Sequence, residues 1–443
     1  MKVEIVSRED IRPSSPTPSH LRDFKLSLLD HLISSPYAPI ILFYDSSSLS
    51  QGSNKLQLLK QSLSETLTKF YPLGGRIKDD LTIECNDNGA NFVEAKVNCP
   101  LSIFLGQPQL NLLHKFLPIE LFSQESNSEN YVTHIQVNFF ECGGIAIGMC
   151  ISHRIVDGAA MSTFLKEWSC RARGCNCNQL PQPNFIGYSL FPTKSLWLRD
   201  LAMSTWASLF KQGKWVTKRF LFRNSDIALL KAQISDSAIQ HPTRVEIVST
   251  ILWKFLMAKR PSLVTHLVNL RRRIDEALSP QHAMGNLLWP VAAEHMSDHE
   301  TDLEGLVAKL RNAISKVDDK FVKELQGDNG RSIMQDSLRG IGETGSKNEV
   351  EYFAFSSWCN FEFYEADFGW GKPTWVTCVA ATGSVYMNLI MLVDTRLRDG
   401  IEAWVTLVEQ DMTTLIANTE LLKYATLDPS PLAMSSIENI RTI

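Results

Sequence analysis

His153 is the residue in this sequence that is best placed to do chemistry. It follows an apolar, partly β-branched run at 145–151, which predicts a buried strand. Asp157 and Gly158 come next, followed by apolar residues at spacings of three and four that predict a helix. A histidine at the end of a strand can act as a general base, taking the proton of a hydroxyl as that oxygen attacks a carbonyl. The alternative is a core histidine beside a helix-capping aspartate.

The neighbouring segments predict the elements that position this residue. Residues 133–140 alternate between apolar and polar side chains and predict a strand that pairs with the one before His153. Residues 54–70 and 303–317 have apolar side chains at helical spacing and predict amphipathic helices. Residues 338–349 contain three glycines and predict a mobile or extended loop. Strands and helices that alternate along the chain indicate an α/β fold.

A second motif, Asp367-Phe368-Gly369-Trp370-Gly371, lies in the C-terminal half. In this order, His153-x-x-x-Asp157 and the second motif resemble the HxxxD and DFGWG motifs of the plant BAHD acyl-CoA-dependent acyltransferases. Further segments resemble landmarks of that family in the same order: Arg12-Pro13, Leu26-Ser27-Leu28-Leu29-Asp30, Tyr71-Pro72-Leu73-Gly74-Gly75-Arg76, Asn269-Leu270-Arg271-Arg272-Arg273 and Gly285-Asn286. Gly74 stands where the family segment has alanine. The resemblance therefore covers the whole chain.

The resemblance implies the architecture of the chain. It predicts two chloramphenicol-acetyltransferase-like domains, each a mixed sheet flanked by helices, with a solvent channel between them. We place an N-terminal domain carrying HxxxD at 1–180, a crossover linker at 181–215, and a C-terminal domain carrying DFGWG at 216–443. Periodicity in the sequence does not by itself show a channel.

The resemblance also implies a reaction, the transfer of an acetyl group from acetyl-CoA, as co-substrate, to the hydroxyl of a small-molecule acceptor. His153 would act as the base, and a thioester needs no covalent enzyme intermediate. Asp157 has two possible roles. It either orients the histidine ring, as in a serine hydrolase, or points away and pairs with Arg271 to hold the loop. The family resemblance favours the second role.

The DFGWG segment supplies the remaining candidates near the reaction. The resemblance places the indole N–H of Trp370 near the tetrahedral intermediate, as a donor to the oxyanion. Trp370 could instead be a large packing residue at the interface. Asp367 is expected to anchor a turn that Gly369 and Gly371 permit.

Coenzyme A carries phosphate groups, so its site requires local basic residues. Candidate ligands for it lie at and just after the helix predicted at 244–259, and they share either a hydroxyl group or a positive charge: Ser249, Thr250, Lys254, Lys259 and Arg260. The alternative for the charged residues is the solvated face of an amphipathic helix.

The acceptor class is suggested by Asn360. Many relatives that act on shikimate-type acceptors carry arginine at the matching position, and asparagine cannot pair with a carboxylate as arginine does. The surrounding residues resemble the alkaloid acetyltransferase branch, the vinorine-synthase and deacetylvindoline-acetyltransferase type. We therefore expect an apolar polycyclic alcohol, such as a monoterpene indole alkaloid. A different acyl-CoA, a terpenoid or phenolic alcohol, or a non-catalytic binding protein remain alternatives.

Composition limits the other function classes. The net charge of −4 gives no general reason to expect nucleic-acid binding. The nine cysteines are odd in number and lack a framework spacing, which favours reduced thiols in the cytoplasm. No secretory signal and no membrane-length apolar run is visible. His295 and His299 are four residues apart, but the glutamate of a zinc motif is missing, so no metal is expected. The expected state is a monomer.

Overall fold

The strands and helices follow the alternation that the sequence predicts. The computed structural model of this 443-residue chain describes residues 1–33, 35–45, 52–119, 130–175, 180, 182–234, 239–257, 260–296, 302–378 and 385–435. The strands are β1 Val3–Ile11, β2 Asp23–Lys25, β3 Tyr37–Tyr44, β4 Arg76–Ile77, β5 Thr82–Glu84, β6 Ala90–Val97, β7 Thr133–Phe140, β8 Ile145–Ser152, β9 Lys211–Gln212, β10 Trp215–Arg223, β11 Ser262–Asn269, β12 Leu288–His295, β13 Glu351–Ser357, β14 Trp375–Thr377, β15 Val385–Tyr386, β16 Leu389–Asp394, β17 Gly400–Val408 and β18 Thr426–Leu427. The helices are α1 Gly52–Lys69, α2 Leu101–Gly106, α3 Gly158–Ala172, α4 Gly187–Leu190, α5 Trp197–Leu209, α6 Asn224–Lys231, α7 Arg244–Met257, α8 Leu303–Ser315, α9 Asp319–Gln326, α10 Gly330–Gly345, α11 Glu409–Ile416 and α12 Pro431–Ser435.

The first sheet holds the strand that leads to His153. Its order is β1-β6-β7-β8-β3-β14, and β8 is buried along its whole length. Antiparallel neighbours flank β8 on both sides, β7 and β3, so the predicted pairing of 133–140 with this strand is confirmed. Helices α1 and α3 pack together, and the Trp168 indole of α3 donates to the Leu59 carbonyl of α1 at 3.2 Å.

The second sheet has the order β12-β11-β13-β16-β17-β10-β18. It is mixed, because β13 runs parallel to both β11 and β16 while the other pairs are antiparallel. Helices α7 and α8 pack together, and α7 contacts β13 and β17. Helices α5 and α10 also pack together, and α10 contacts β11. The predicted α/β class, with two mixed sheets flanked by helices, is confirmed.

The two hydrophobic cores do not divide the chain at one point. Strand β14 pairs with β3, and most of the apolar residues of 358–378 pack into the first core, although the sequence predicts DFGWG in a domain at 216–443. The stretch at 181–215 is not a bare linker either, because Leu198, Ala202 and Trp206 of α5 are buried in the second core. The boundaries drawn from the sequence were therefore too simple: the C-terminal half returns a strand to the first sheet.

The loop predicted at 338–349 was wrong, because 338–345 belong to helix α10. A Cβ built on Gly345 would lie 2.7 Å from a side-chain carbon of Leu209, and one on Gly342 would lie 3.5 Å from Thr205. These glycines let α10 approach α5 closely, so they serve packing rather than mobility. Among the described residues, no helix is both long and apolar enough to cross a membrane.

Candidate active site

His153 follows directly after the last residue of β8, where the sequence predicts it. Its backbone N–H donates to the Pro36 carbonyl at 3.0 Å, which ties the turn to the residue just before β3. His153 keeps part of its surface exposed, whereas the preceding Ser152 is fully buried. The strand therefore fixes the backbone of the histidine and leaves a side of it accessible.

The His153 ring is held by an asparagine from the other half of the chain. Its Nδ1 lies 3.1 Å from Oδ1 of Asn286, and Nδ2 of Asn286 donates to the His153 carbonyl at 2.6 Å. Burial lowers the pKa of His153, while the Asp157 charge and the Asn286 bond oppose that shift. The neutral imidazole is the form that a general base needs. Sequence reasoning quoted Gly285-Asn286 as a family landmark but assigned it no contact with the histidine.

Asp157 pairs with Arg271, as the second alternative predicted. The guanidinium nitrogens Nη1 and Nη2 lie 2.6 and 2.9 Å from the two carboxylate oxygens, and both side chains are buried. Asp157 also caps α3 by accepting the Ala160 N–H at 2.9 Å, and it accepts the Leu287 N–H at 3.1 Å. Its carboxylate is thus occupied in fixing the loop between β8 and α3. The serine-hydrolase-type dyad with His153 is not formed.

The structure places Trp370 far from His153, so its assignment as oxyanion donor was wrong. The Trp370 ring packs 6.2 Å from that of Tyr44, at the end of β3 that pairs with Ile145. His153 follows Ser152, at the opposite end of β8. Seven residue steps of strand separate the two ends by about 23 Å at roughly 3.3 Å per residue. Trp370 is therefore a packing residue, which was the alternative interpretation.

The structural role predicted for the rest of the DFGWG segment is confirmed. Oδ1 of Asp367 accepts the N–H groups of Gly369 at 2.8 Å and Gly371 at 3.0 Å. Both glycines have φ near +105°, at +105° and +103°. Side chains rarely adopt that conformation, so glycine is required at both positions. The carboxylate thus anchors the turn that carries Trp370 into the first core.

The proposed coenzyme A ligands do not form one cluster. Thr250 is fully buried and donates its hydroxyl to the Glu246 carbonyl of its own helix, so its assignment as a ligand was wrong. Ser249 was also wrong, because it is buried with its Oγ 3.3 Å from Nε2 of His266. Arg260 is exposed and pairs with Glu351 at 2.7 Å, and Lys254 is partly exposed. Arg260 and Lys254 remain predictions, and Lys259 lies outside the described residues.

One face of the second sheet has partly exposed residues in its centre. Ala354 of β13 pairs with Leu389 of β16, and Leu389 pairs with Thr406 of β17. Ala354, Ser356 and Leu389 are partly exposed, although they belong to interior strands. Two residues further along the same face of β16, Met391 packs into the first core. We name Ala354, Ser356 and Leu389 the sheet floor.

The sheet floor ends beside the histidine loop. Ser356 is two residues before Trp358, whose indole nitrogen would lie 3.3 Å from a Cβ built on Gly158. Gly158 in turn is the first residue of α3, directly after Asp157. The floor carries one methyl, one isobutyl and one hydroxyl group. Such a surface is suited to a neutral, largely apolar molecule.

Asn360 lies in the turn after β13. It is exposed, has φ of +67°, and donates its backbone N–H to the Asp394 carboxylate at 2.7 Å. Asparagine tolerates this left-handed conformation better than most residues do. The position thus has a local backbone role, and its effect on acceptor charge remains a prediction.

In this arrangement, a histidine at the end of a strand of the first sheet is held by an asparagine just before β12 of the second sheet. A family model described as "Transferase family" matches residues 1–422. The chain therefore belongs to this family, the BAHD acyltransferases, as the two motifs indicated.

The relatives agree with that assignment. The chain is similar to a limonoid 7-O-acetyltransferase of Citrus sinensis, at 42% identity over 98% of this chain and 100% of that protein. It is similar to stemmadenine O-acetyltransferase of Catharanthus roseus, at 36% identity over 94% and 96% of the two chains. Among solved structures it resembles vinorine synthase, with a TM-score of 0.79, 33% identity, and coverage of 96% and 98%.

Proposed function

We propose that this enzyme transfers an acetyl group from acetyl-CoA to a hydroxyl of a neutral polycyclic alcohol, with His153 as general base. The observation that carries the proposal is the position of His153, a partly exposed residue at the end of a buried strand whose ring is held at Nδ1 by Asn286. Burial disfavours the charged imidazolium and therefore lowers the pKa of His153. The base is therefore neutral, and so competent, at neutral pH.

The chemistry needs one proton to move twice. Nε2 of His153 takes the proton of the acceptor hydroxyl while the oxygen attacks the thioester carbonyl. The tetrahedral species then collapses, the carbon–sulfur bond breaks, and the imidazolium returns the proton to the departing thiolate. Asp157 and Arg271 hold the loop in shape during both steps, and neither exchanges a proton with the substrate.

The sheet floor supports a neutral acceptor. None of its three residues carries an ionisable group, and Asn360 supplies no charge for a carboxylate. A limonoid alcohol is supported by the higher identity, 42%, to a limonoid 7-O-acetyltransferase. An alkaloid alcohol, which the sequence predicts, is supported by the 36% identity to stemmadenine O-acetyltransferase. Both kinds of acceptor are polycyclic alcohols whose surface is largely apolar.

The test is release of free coenzyme A thiol from acetyl-CoA in the presence of a panel of limonoid, alkaloid, phenolic and shikimate-type alcohols. The proposal predicts turnover with at least one polycyclic alcohol, none with shikimate-type acids, and an acetyl ester of the acceptor in the product. Thiol release without any acceptor would indicate a hydrolase and contradict the proposal. Replacing acetyl-CoA by longer acyl-CoA esters in the same assay tests the donor.

We also propose that the protein is a monomer and that it is located in the cytoplasm. The nine cysteines of the sequence are odd in number and lack a framework spacing, which supports a reducing compartment. Size-exclusion chromatography with light scattering tests the monomer, and a fluorescent fusion expressed in plant cells tests the location.

A further inference from the structure

We propose that Asp30 is a positioning residue for His153, acting through Asn286 to hold the histidine in its Nδ1–H tautomer. The inference rests on the proposed role of His153 as the base. It adds a residue from the N-terminal segment that does not touch the histidine.

The Asp30 carboxylate is buried and receives four hydrogen bonds. Its Oδ1 accepts the backbone N–H of Asn286 at 2.7 Å and the Asn286 side-chain Nδ2 at 3.0 Å. Its Oδ2 accepts the backbone N–H and the hydroxyl of Ser27, both at 2.7 Å. Burial nevertheless raises the pKa of Asp30 above its usual value. Because burial disfavours the charged carboxylate, these four hydrogen bonds are needed to stabilise its ionised form.

The orientation of the Asn286 amide follows from its neighbours. Nδ2 of Asn286 faces two oxygens, Oδ1 of Asp30 at 3.0 Å and the His153 carbonyl at 2.6 Å. Both oxygens accept hydrogen bonds, so each requires the NH₂ end of the amide. A rotated amide would set its own oxygen against the Asp30 carboxylate. Oδ1 of Asn286 must therefore point at His153.

The histidine tautomer follows in turn. Oδ1 of Asn286 can only accept a hydrogen bond, and it lies 3.1 Å from Nδ1 of His153. Nδ1 must then carry the hydrogen, which leaves the lone pair on Nε2, the nitrogen that takes the acceptor proton. A base held in the wrong tautomer can lose up to about 10⁴-fold in kcat.

The contact joins distant parts of the chain. Asp30 and Asn286 are 256 residues apart. Asp30 lies in a short 3₁₀ turn, Leu28–His31, and its neighbours Leu29 and Leu32 are buried in the second core. The position of the carboxylate is thus set by packing that does not depend on the substrates.

The first measurement is the tautomer itself, read from the ¹⁵N chemical shifts of the intact enzyme labelled at its 10 histidines. The His153 signals are assigned by their loss in His153→Ala. The proposal predicts Nδ1–H at neutral pH. A wild-type His153 found as Nε2–H would overturn it, and this reading needs neither substrate nor variant.

The second measurement uses Asp30→Asn, an isosteric change that puts an NH₂ group where the carboxylate accepts four bonds. We expect Asn286 to rotate in part of the population, an Nε2–H signal to appear, and kcat to fall about 10- to 100-fold with the KM for acetyl-CoA unchanged. The matched control is Glu167→Gln, which makes the same change at a carboxylate that is 2% exposed on α3, paired with Arg171. The control should keep both the tautomer and kcat.

The two readouts separate a positioning role from a structural one. A fall in kcat together with the tautomer shift supports the proposal. A folded Asp30→Asn protein with an unshifted tautomer overturns it, whether or not kcat falls. If Asp30→Asn does not fold, the wild-type tautomer decides. A wild-type enzyme with the Nδ1–H tautomer but no turnover on any alcohol would contradict the proposed function and leave the positioning inference standing.

Discussion

Arg271 holds both carboxylate oxygens of Asp157 from a position 114 residues further along the chain. Its guanidinium also donates to the carbonyls of Ala283 at 2.8 Å and Gly285 at 3.0 Å. The segment 283–285 leads directly to Asn286, which contacts His153. One buried arginine therefore fixes the loop that starts α3 and the segment that orients the base.

Removing one partner of this pair should be costly. Asp157→Ala is expected to lower the free energy of unfolding by about 3–5 kcal/mol, because it leaves the Arg271 charge buried without its counter-ion. Urea unfolding measures the change. As the control, Asp80→Ala breaks ion pairs with Arg154 and Arg199, in which the side chains are 31% to 39% exposed, and the loss of each pair should cost at most about 1 kcal/mol. Equal losses in the two variants would contradict a structural role for Asp157.

The pH dependence of the reaction should reflect the environment of His153. Burial lowers its pKa from the usual 6.5, so the folded enzyme keeps the imidazole neutral to a lower pH than a free histidine would. The acidic limb of kcat/KM for the acceptor should therefore have its midpoint below pH 6.5. Initial rates across a pH series, with stability checked at each pH, test this. An acidic limb of the kcat/KM profile with a midpoint above pH 6.5 would contradict the lowered pKa of the His153 imidazole.

The sheet floor should control which acceptors bind. Ala354→Phe places a ring on the sheet floor, so it should raise the acceptor KM while the KM for acetyl-CoA stays the same. The control is Ala277→Phe, at an exposed position outside the floor. Steady-state kinetics with both substrates varied provide the measurement. An increase confined to the acetyl-CoA KM would instead place the donor on this surface.

Trp370 should matter for stability rather than for chemistry. The Trp370→Ala variant removes a ring that stacks on Phe368 and lies 5.5 Å from the Lys55 ammonium, so we expect a loss of about 3–5 kcal/mol in the free energy of unfolding. The kcat of the protein that remains folded should stay close to that of the wild type. A folded variant whose kcat falls by orders of magnitude would contradict the packing role and support a catalytic role for Trp370.

The sequence predicted the parts of the site that depend on local pattern. The apolar run before His153 predicts β8, because a buried strand needs a continuous apolar stretch. The family resemblance supplied the Asp157–Arg271 pair, and the geometry agrees with it. The pair joins two short motifs, so the resemblance could assign it although 114 residues separate them.

Contacts between distant segments could not be predicted in this way. Nothing in a lone asparagine indicates that Asn286 meets a histidine 133 residues away. Trp370 was misplaced because the sequence does not reveal which end of a strand a returning segment reaches. Helix α10 was missed because glycine counts against a helix by propensity, whereas Gly345 here permits close packing against Leu209.

The central claim is that His153 removes the proton of the acceptor. His153→Ala tests it most directly, in an acetyl-transfer assay with a competent alcohol and with the fold checked by circular dichroism and thermal unfolding. We predict a folded protein whose kcat falls by at least about 10²-fold, the lower range for loss of a general base. A folded variant that transfers acetyl groups at close to the wild-type rate would contradict the assignment.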